Sequence, residues 1–211
     1  MSSHRFSSVP EISYRIVVWL TYRLAATFAV GLPFVLLIWA AVRREASMVR
    51  LLTIYWKVAS LFPISVLLLT DQRPLGYLTA LLAPLLMVLS IWFWVDLNED
   101  LADLPPWRPL PFVVRLWRWA LSAVGVLAVA TAFISLPCLI NVNGPHCQAW
   151  VEGPVGLHRI VEVVFQFIFG GQWTVGIAAF IGYVALVVYV VGLLQWLLVR
   201  LPRQGRVAGE F

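Results

Sequence analysis

Two cysteines and a histidine lie close together in the second half of the chain, at Cys138, His146 and Cys147. The chain has no other cysteine, and eight residues that include Gly144 and Pro145 separate the two, so they can close a small ring. A disulfide of this kind stabilises a fold by roughly 2 to 3 kcal/mol. A metal site built from the same residues lacks a fourth ligand, and free or redox-active thiols are the remaining alternative. We predict a structural disulfide and no metal.

Lys57 stands inside a long apolar stretch, where an ionisable side chain is costly. On insertion scales the cost is about 2.5 to 3.5 kcal/mol. The spacing of Thr53, Lys57 and Ser60 predicts one polar stripe along a helix. Asp96 and Glu99 end a later apolar stretch on the same predicted side of the membrane, so we predict that Lys57 forms a structural ion pair with one of them. A substrate or ion pathway along the stripe is the alternative.

His158 is the one histidine with a candidate role in binding a cofactor. Apolar residues recur at helical spacing from Val155 to Phe169, while His158, Glu162 and Gln166 repeat every four residues on another face. This pattern predicts an amphipathic helix that lies on the membrane surface. His158 could ligate a metal or the magnesium of a chlorophyll. We favour the alternative, an exposed pairing with Glu162, because none of the apolar stretches contains a histidine.

Four acidic residues follow the third apolar stretch at a spacing that places them on one helix face: Asp96, Glu99, Asp100 and Asp103. They resemble the aspartate-rich magnesium-diphosphate motif of membrane prenyltransferases, but those enzymes need a second such motif, which this chain lacks. A solvated helix end before Pro105 and Pro106 is the simpler interpretation. The sequence also contains no Walker loop, GxSxG or HExxH motif. We therefore predict no enzyme activity.

The elements that position these residues are membrane-spanning helices. Hydrophobic residues make up 62% of the chain and charged residues 12%, and the mean hydropathy is +0.90. A helix crosses a hydrocarbon core of about 30 Å with about 20 mostly apolar residues. Five stretches meet this length: Leu24 to Val42, Leu51 to Thr70, Leu75 to Val95, Trp117 to Ile140 and Trp173 to Val199. We predict an all-α, polytopic membrane bundle of five spans in a single domain, residues 1–211.

The segments outside the spans are also assigned. We expect a disordered polar tail from Met1 to Ser8, an interfacial lead-in from Glu11 to Arg23, and a loop over residues 141–172 that carries the amphipathic helix. Nine arginines fall on one side of this topology and five on the other, which favours a cytoplasmic C-terminus and an N-terminus on the opposite, trans side. Both cysteines then lie on the trans side, where an oxidising compartment preserves a disulfide.

Several segments resemble an uncharacterised family of cyanobacterial integral membrane proteins, a domain-of-unknown-function family. The resemblance rests on Tyr22-Arg23-Leu24-Ala25, on the stretch from Arg50 to Ser60, on Trp92-Phe93-Trp94-Val95-Asp96-Leu97-Asn98-Glu99 and on the basic tail from Arg200 to Arg206. It implies the thylakoid or plasma membrane of a cyanobacterium and a role around photosynthetic complexes. It brings no catalytic residues.

Two classes of function remain open at this stage. The first is a non-enzymatic accessory or assembly protein that binds a larger membrane complex; it has no required cofactor, although chlorophyll or carotenoid could bind. The second is a small transporter or channel whose pathway uses Lys57. We expect the lipid bilayer and a membrane protein complex as partners, and no nucleic acid. The paired small residues in the last two spans, such as Ala128 with Ala132 and Ala178 with Gly182, fit either internal packing or docking onto a partner.

Overall fold

Helices alone build the described part of the chain, which is residues 8–105 and 107–208 of a computed structural model. Five helices in this part are long and apolar enough to cross a membrane, so the predicted all-α bundle of five spans is confirmed. We number them spans 1 to 5 along the chain: Ser13–Arg43, Ala46–Thr70, Pro74–Phe93, Pro109–Ile134 and Val175–Arg203.

Span 1 begins earlier than the sequence predicts. It consists of α1, Ser8–Ala25, a π-helical segment, Ala26–Gly31, and α2, Leu32–Arg43, without a break. The predicted lead-in from Glu11 to Arg23 is thus continuous with the helix of span 1, and its interfacial position stays a prediction. The predicted tail, apart from Ser8, lies outside the described residues.

Span 2 is broken by its own sequence. It consists of α3, Ala46–Ala59, and α4, Leu61–Thr70, with Ser60 between them. Pro63 lies at the start of α4, and a proline inside a helix lacks an N–H and crowds the carbonyl four residues before it, here that of Ala59. Pro63 therefore explains why the helix breaks just after Ala59.

Span 3 is α5, Pro74–Phe93, and a short surface helix, α6, Val95–Asp103, follows it directly. Span 4 is α7, Pro109–Ile134, which starts eight residues before the predicted Trp117 and ends before the predicted Ile140. Pro109 occupies the first helical turn, the position where a proline fits a helix best. Arg115 and Arg118 therefore lie within the helix and not before it.

Beyond span 4 the chain forms a 3₁₀ turn, Leu136–Leu139, and then α8, Pro145–Phe169. The predicted surface helix from Val155 is thus only the second half of a longer helix, which continues through Pro154. Span 5 consists of α9, Val175–Gln195, a second π-helical segment, Trp196–Arg200, and α10, Leu201–Gln204.

The bundle packs most closely where small residues face a neighbouring helix. A Cβ on Gly182 of α9 would lie 3.1 Å from Leu68 of α4, and one on Gly125 of α7 would lie 2.4 Å from Val88 of α5. Ala178 and Ala132 are fully buried, so the small-residue pairs of the last two spans serve packing within the chain.

The two ends of the bundle differ in what closes them. Cys138, Cys147 and the first half of α8 lie at one end, which we call the disulfide end. We call the first half of α8, residues 145–156, its inner half. Arg118, α6 and the start of α3 lie at the other, which we call the arginine end. In the topology that the sequence predicts, the disulfide end is on the trans side.

Candidate functional site

A disulfide joins Cys138 to Cys147, as the sequence predicts, with their Cα atoms 5.7 Å apart. Both residues are buried, at 2% and 3% exposure. The bond ties the 3₁₀ turn after span 4 to the first turn of α8, and it occupies both thiols. Within the described ranges, no three His, Cys, Asp or Glu residues are placed to hold a metal ion. The imidazole of His146 instead meets the ring of Tyr14 edge-on, with their centroids 4.8 Å apart.

Tyrosine hydroxyls hold the inner half of α8 against spans 1 and 3. The hydroxyl of Tyr22 donates to the carbonyl of Trp150 at 2.7 Å, and the hydroxyl of Tyr77 donates to the carbonyl of Cys147 at 3.3 Å. Tyr14 accepts a hydrogen bond from the indole N–H of Trp150 at 2.8 Å and donates to the carbonyl of Thr131 at 2.9 Å. We call Tyr14, Tyr22 and Tyr77 the tyrosine clamp.

An ion pair extends the same contact to the surface. Arg15 of α1 donates from Nε to the carboxylate of Glu152 at 2.9 Å, and the indole of Trp19 donates to the same carboxylate at 3.0 Å. Arg15 and Glu152 are 137 residues apart in the chain, so no local sequence pattern predicts this pair.

The second half of α8, Leu157–Phe169, projects from the bundle, and we call it the outer half. Its apolar side chains are exposed: Leu157 50%, Ile160 63%, Val163 67%, Val164 50%, Phe167 90%, Ile168 61% and Phe169 70%. His158 is the buried member, at 9% exposure. The expected exposed pairing of His158 with Glu162 is therefore wrong in its placement of the histidine. His158 faces inward, whereas Glu162 and Gln166, which follow it at four-residue spacing, are exposed.

The hydroxyls of the polar stripe around Lys57 donate to backbone carbonyls of the same helical segment. The hydroxyl of Thr53 donates to the carbonyl of Val49 at 2.7 Å, and that of Ser60 donates to the carbonyl of Lys57 at 2.8 Å. The Lys57 side chain is exposed and borders a cleft between spans 2, 3 and 5.

The predicted partners of Lys57 lie at the arginine end. The carboxylate of Asp96 accepts the backbone N–H of Ala208 at 3.0 and 3.1 Å, and Glu99 is exposed. The ion pair between Lys57 and one of these residues stays a prediction. Glu99, Asp100 and Asp103 form the exposed face of α6, while Leu97 and Leu101 are buried beneath it. This arrangement is that of a solvated amphipathic helix.

Arg118 forms a buried polar centre that the sequence analysis missed. Its residue is 5% exposed. The guanidinium donates to the carbonyl of Ile91 at 2.8 Å and to the side-chain oxygen of Asn98, and it lies 4.1 Å from the ring centroid of Trp92. The sequence analysis counted this residue as a charge outside the membrane. Pro109 was the available signal, because a helix that starts there carries Arg118 inside it.

Two further arginines cap helix ends nearby. Arg115 donates to the carbonyls of Ala102 and Leu104, at 3.2 and 2.8 Å, where α6 ends. Arg206 donates to the carbonyl of Phe93 at 2.9 Å, where α5 ends. The contact of Arg206 with Phe93 and the bond from Ala208 to Asp96 hold the tail after span 5 against the segment that joins α5 and α6.

Comparisons with known proteins add one match. A family profile with the description "protein of unknown function (DUF3177)" matches residues 15–209. No curated protein and no solved structure matches the chain.

Proposed function

The chain belongs to the DUF3177 family, whose description states no function, and we propose from its structure that it is a non-catalytic accessory subunit of a larger membrane complex. The outer half of α8 is the proposed docking surface. The observation that carries the proposal is that this segment lies outside the five spans and still exposes Phe167 at 90% and Phe169 at 70%. Apolar surface of this kind is typical of sites that another protein or the membrane covers.

The inner half of α8 supports this role because it fixes the outer half in place. The disulfide, the tyrosine clamp and the pair between Arg15 and Glu152 anchor one end of a continuous 25-residue helix. A helix held in this way loses little conformational freedom when a partner binds its free end. The geometry thus favours recognition by a rigid element.

The identity of the partner follows from the resemblance on which the sequence analysis drew. We propose that the complex is a photosynthetic one, in the thylakoid or plasma membrane of a cyanobacterium. The small transporter or channel is the competing function. It would need polar groups along a path, whereas Thr53 and Ser60 bond to carbonyls of their own segment.

Phe167→Gln combined with Ile160→Gln tests the proposal, because both side chains are exposed on the outer half at 90% and 63%. The matched control is Ile140→Gln, a residue 96% exposed at the same end of the bundle but outside α8. Tagged full-length proteins are purified from mildly solubilised membranes of the native host and separated on native gels. We expect wild type and control to migrate with a stoichiometric partner complex, and the double variant to lose at least nine-tenths of it.

Equal recovery of the complex with the double variant would contradict the docking surface. A homo-oligomer without other proteins, which conducts ions in proteoliposomes and loses this conduction in Lys57→Met, would establish the competing function. Thermal melting of each variant before the gel shows that loss of the complex does not result from unfolding.

A further inference from the structure

Span 5 contacts the bundle closely along its first half and leaves it along its second. Ala178, Ala179 and Gly182 are buried against α4. Ten residues later, a Cβ on Gly192 would meet no atom within 4 Å. The helix therefore separates from α3 and α5 and leaves a cleft with a volume of about 710 Å³. Ligand pockets in proteins have volumes of about 300–1,000 Å³.

Two contacts between span 5 and the rest of the bundle bound the cleft, one near the middle of the bundle and one at the arginine end. Near the middle of the bundle, the hydroxyl of Tyr189 donates to the carbonyl of Val58 at 3.3 Å and joins α9 to span 2. At the arginine end, the indole of Trp196 contacts Phe93 and Trp94, with ring centroids 5.9 and 5.8 Å apart. Leu89 and Val188 line the cleft and are 53% and 67% exposed, so the cleft is open at the surface of the bundle, which lipid surrounds in a membrane.

The walls of the cleft combine aliphatic and aromatic side chains with one cation. Leu86, Leu89, Val188 and Leu193 contribute aliphatic surface. Lys57 is the only charged side chain that lines it among the residues that the structure describes. The walls therefore suit a long apolar chain, and the cation suits an anionic group at its end.

We propose that this cleft binds one anionic glycerolipid of the surrounding bilayer, with an acyl chain between α3, α5 and α9 and the headgroup at Lys57. An unfilled space of this size inside a bilayer would leave its apolar walls without contacts, and acyl chains are the molecules at hand to fill it. Arg50 and Ile54 precede Lys57 by seven and three residues, so all three share one face of α3. This face carries positive charge from the cleft toward the arginine end, where headgroups lie.

The depth of Lys57 is compatible with such a headgroup contact. A lysine within a span extends its four-carbon stem toward the nearer interface and keeps its ammonium close to the polar layer. Trp94 and Trp196 line the cleft at the arginine end. Indoles prefer the interface between the hydrocarbon core and water. The proposal does not depend on the docking role of α8, because the two sites share no residue.

Gly192→Leu is the sharpest test, because a side chain at this position projects into open space and occupies the cleft. Gly156→Leu is the matched control, since a Cβ at Gly156 also meets no atom within 4 Å but lies on α8. Full-length proteins are reconstituted in nanodiscs of equal parts phosphatidylglycerol and phosphatidylcholine, released, and weighed by native mass spectrometry. We expect one phosphatidylglycerol to stay on wild type and control, and at least five-fold less on Gly192→Leu.

Lys57→Gln separates the headgroup from the chain. This variant should still retain a lipid, but its preference for phosphatidylglycerol over phosphatidylcholine should fall at least five-fold. If Gly192→Leu does not yield monodisperse protein, Val188→Phe fills the same cleft from the neighbouring turn. Unchanged lipid retention in the cleft-filling variant, or an unchanged preference in Lys57→Gln, would overturn the proposal.

Discussion

The two ends of this bundle hold their connecting segments with different chemistry. At the disulfide end, a covalent bond and the neutral hydroxyls of Tyr14, Tyr22 and Tyr77 attach α8. At the arginine end, the guanidinium groups of Arg115 and Arg118 donate to backbone carbonyls at the ends of α6 and α5. In both places main-chain carbonyls accept hydrogen bonds from side chains.

Neutral tyrosine hydroxyls donate at the disulfide end, and charged guanidinium groups donate at the arginine end. A phenol has one donor and is inexpensive to bury, so Tyr22 and Tyr77 each donate to one carbonyl of α8, while Tyr14 donates to Thr131 of α7 and accepts from Trp150. A guanidinium carries five donors and stays charged, so Arg115 can serve several carbonyls where one helix ends and the next begins. Arg115 and Arg118, on which the predicted orientation rests in part, thus also donate to carbonyls near helix ends.

Arg118→Leu should have the largest effect on stability. It removes two hydrogen bonds from a buried charged group, and such bonds contribute about 1.5–3 kcal/mol each, so we expect a loss of about 3 kcal/mol. Thermal unfolding in detergent should show a Tm about 6–12 °C lower. Arg43→Leu, an exposed arginine at the same end, is the control and should change little. Similar shifts for the two variants would mean that Arg118 has no special role.

Removal of the disulfide should come next. The double variant Cys138→Ser and Cys147→Ser should lose about 2–3 kcal/mol, since the cross-link restricts the unfolded chain. We expect hydrogen exchange to rise in α8 and to stay unchanged in α6. Equal loss of protection in both helices would show that the two ends are not independent.

The tyrosine clamp should give smaller and graded effects. Tyr22→Phe removes one hydrogen bond and should cost about 1 kcal/mol, whereas Tyr14→Phe removes a donor and an acceptor and should cost somewhat more. Both tyrosines bond to Trp150, so chemical denaturation of the two single variants and the double variant should reveal coupling. Additive effects would contradict a shared clamp.

The smallest effect concerns the predicted ion pair of Lys57. Because Lys57 is exposed, its coupling with Asp96 in a cycle of Lys57→Met and Asp96→Leu should be about 0.5 kcal/mol. Asp96→Leu should also free the tail by removing the acceptor for Ala208, which trypsin cleavage after Arg206 would detect. Zero coupling would exclude Asp96 as the partner and leave Glu99 to be tested in the same way.

Hydropathy was sufficient to predict five spans, because each needs only a local run of apolar residues. What it missed depends on contacts between distant residues. The pair of Arg15 with Glu152 joins residues 137 apart in the chain, and Arg118 reads as a flanking charge until Asn98 and Ile91 are seen beside it. The disulfide was predictable since both cysteines are near each other in sequence, but the inward turn of His158 was not, because it depends on which side of α8 meets the bundle.

The π-helical segment Ala26–Gly31 has a consequence for the way one span serves two neighbours. A π turn holds one more residue than an α turn, and each residue of an α-helix advances the side-chain direction by about 100°. The phase of α2 is therefore offset relative to α1, so that Tyr22 can face α8 while Leu36 is buried among other spans. Deleting one residue from this segment should give a regular α-helix. The rotation between α1 and α2 would then change, so that Tyr22 and Leu36 could not both keep their present neighbours.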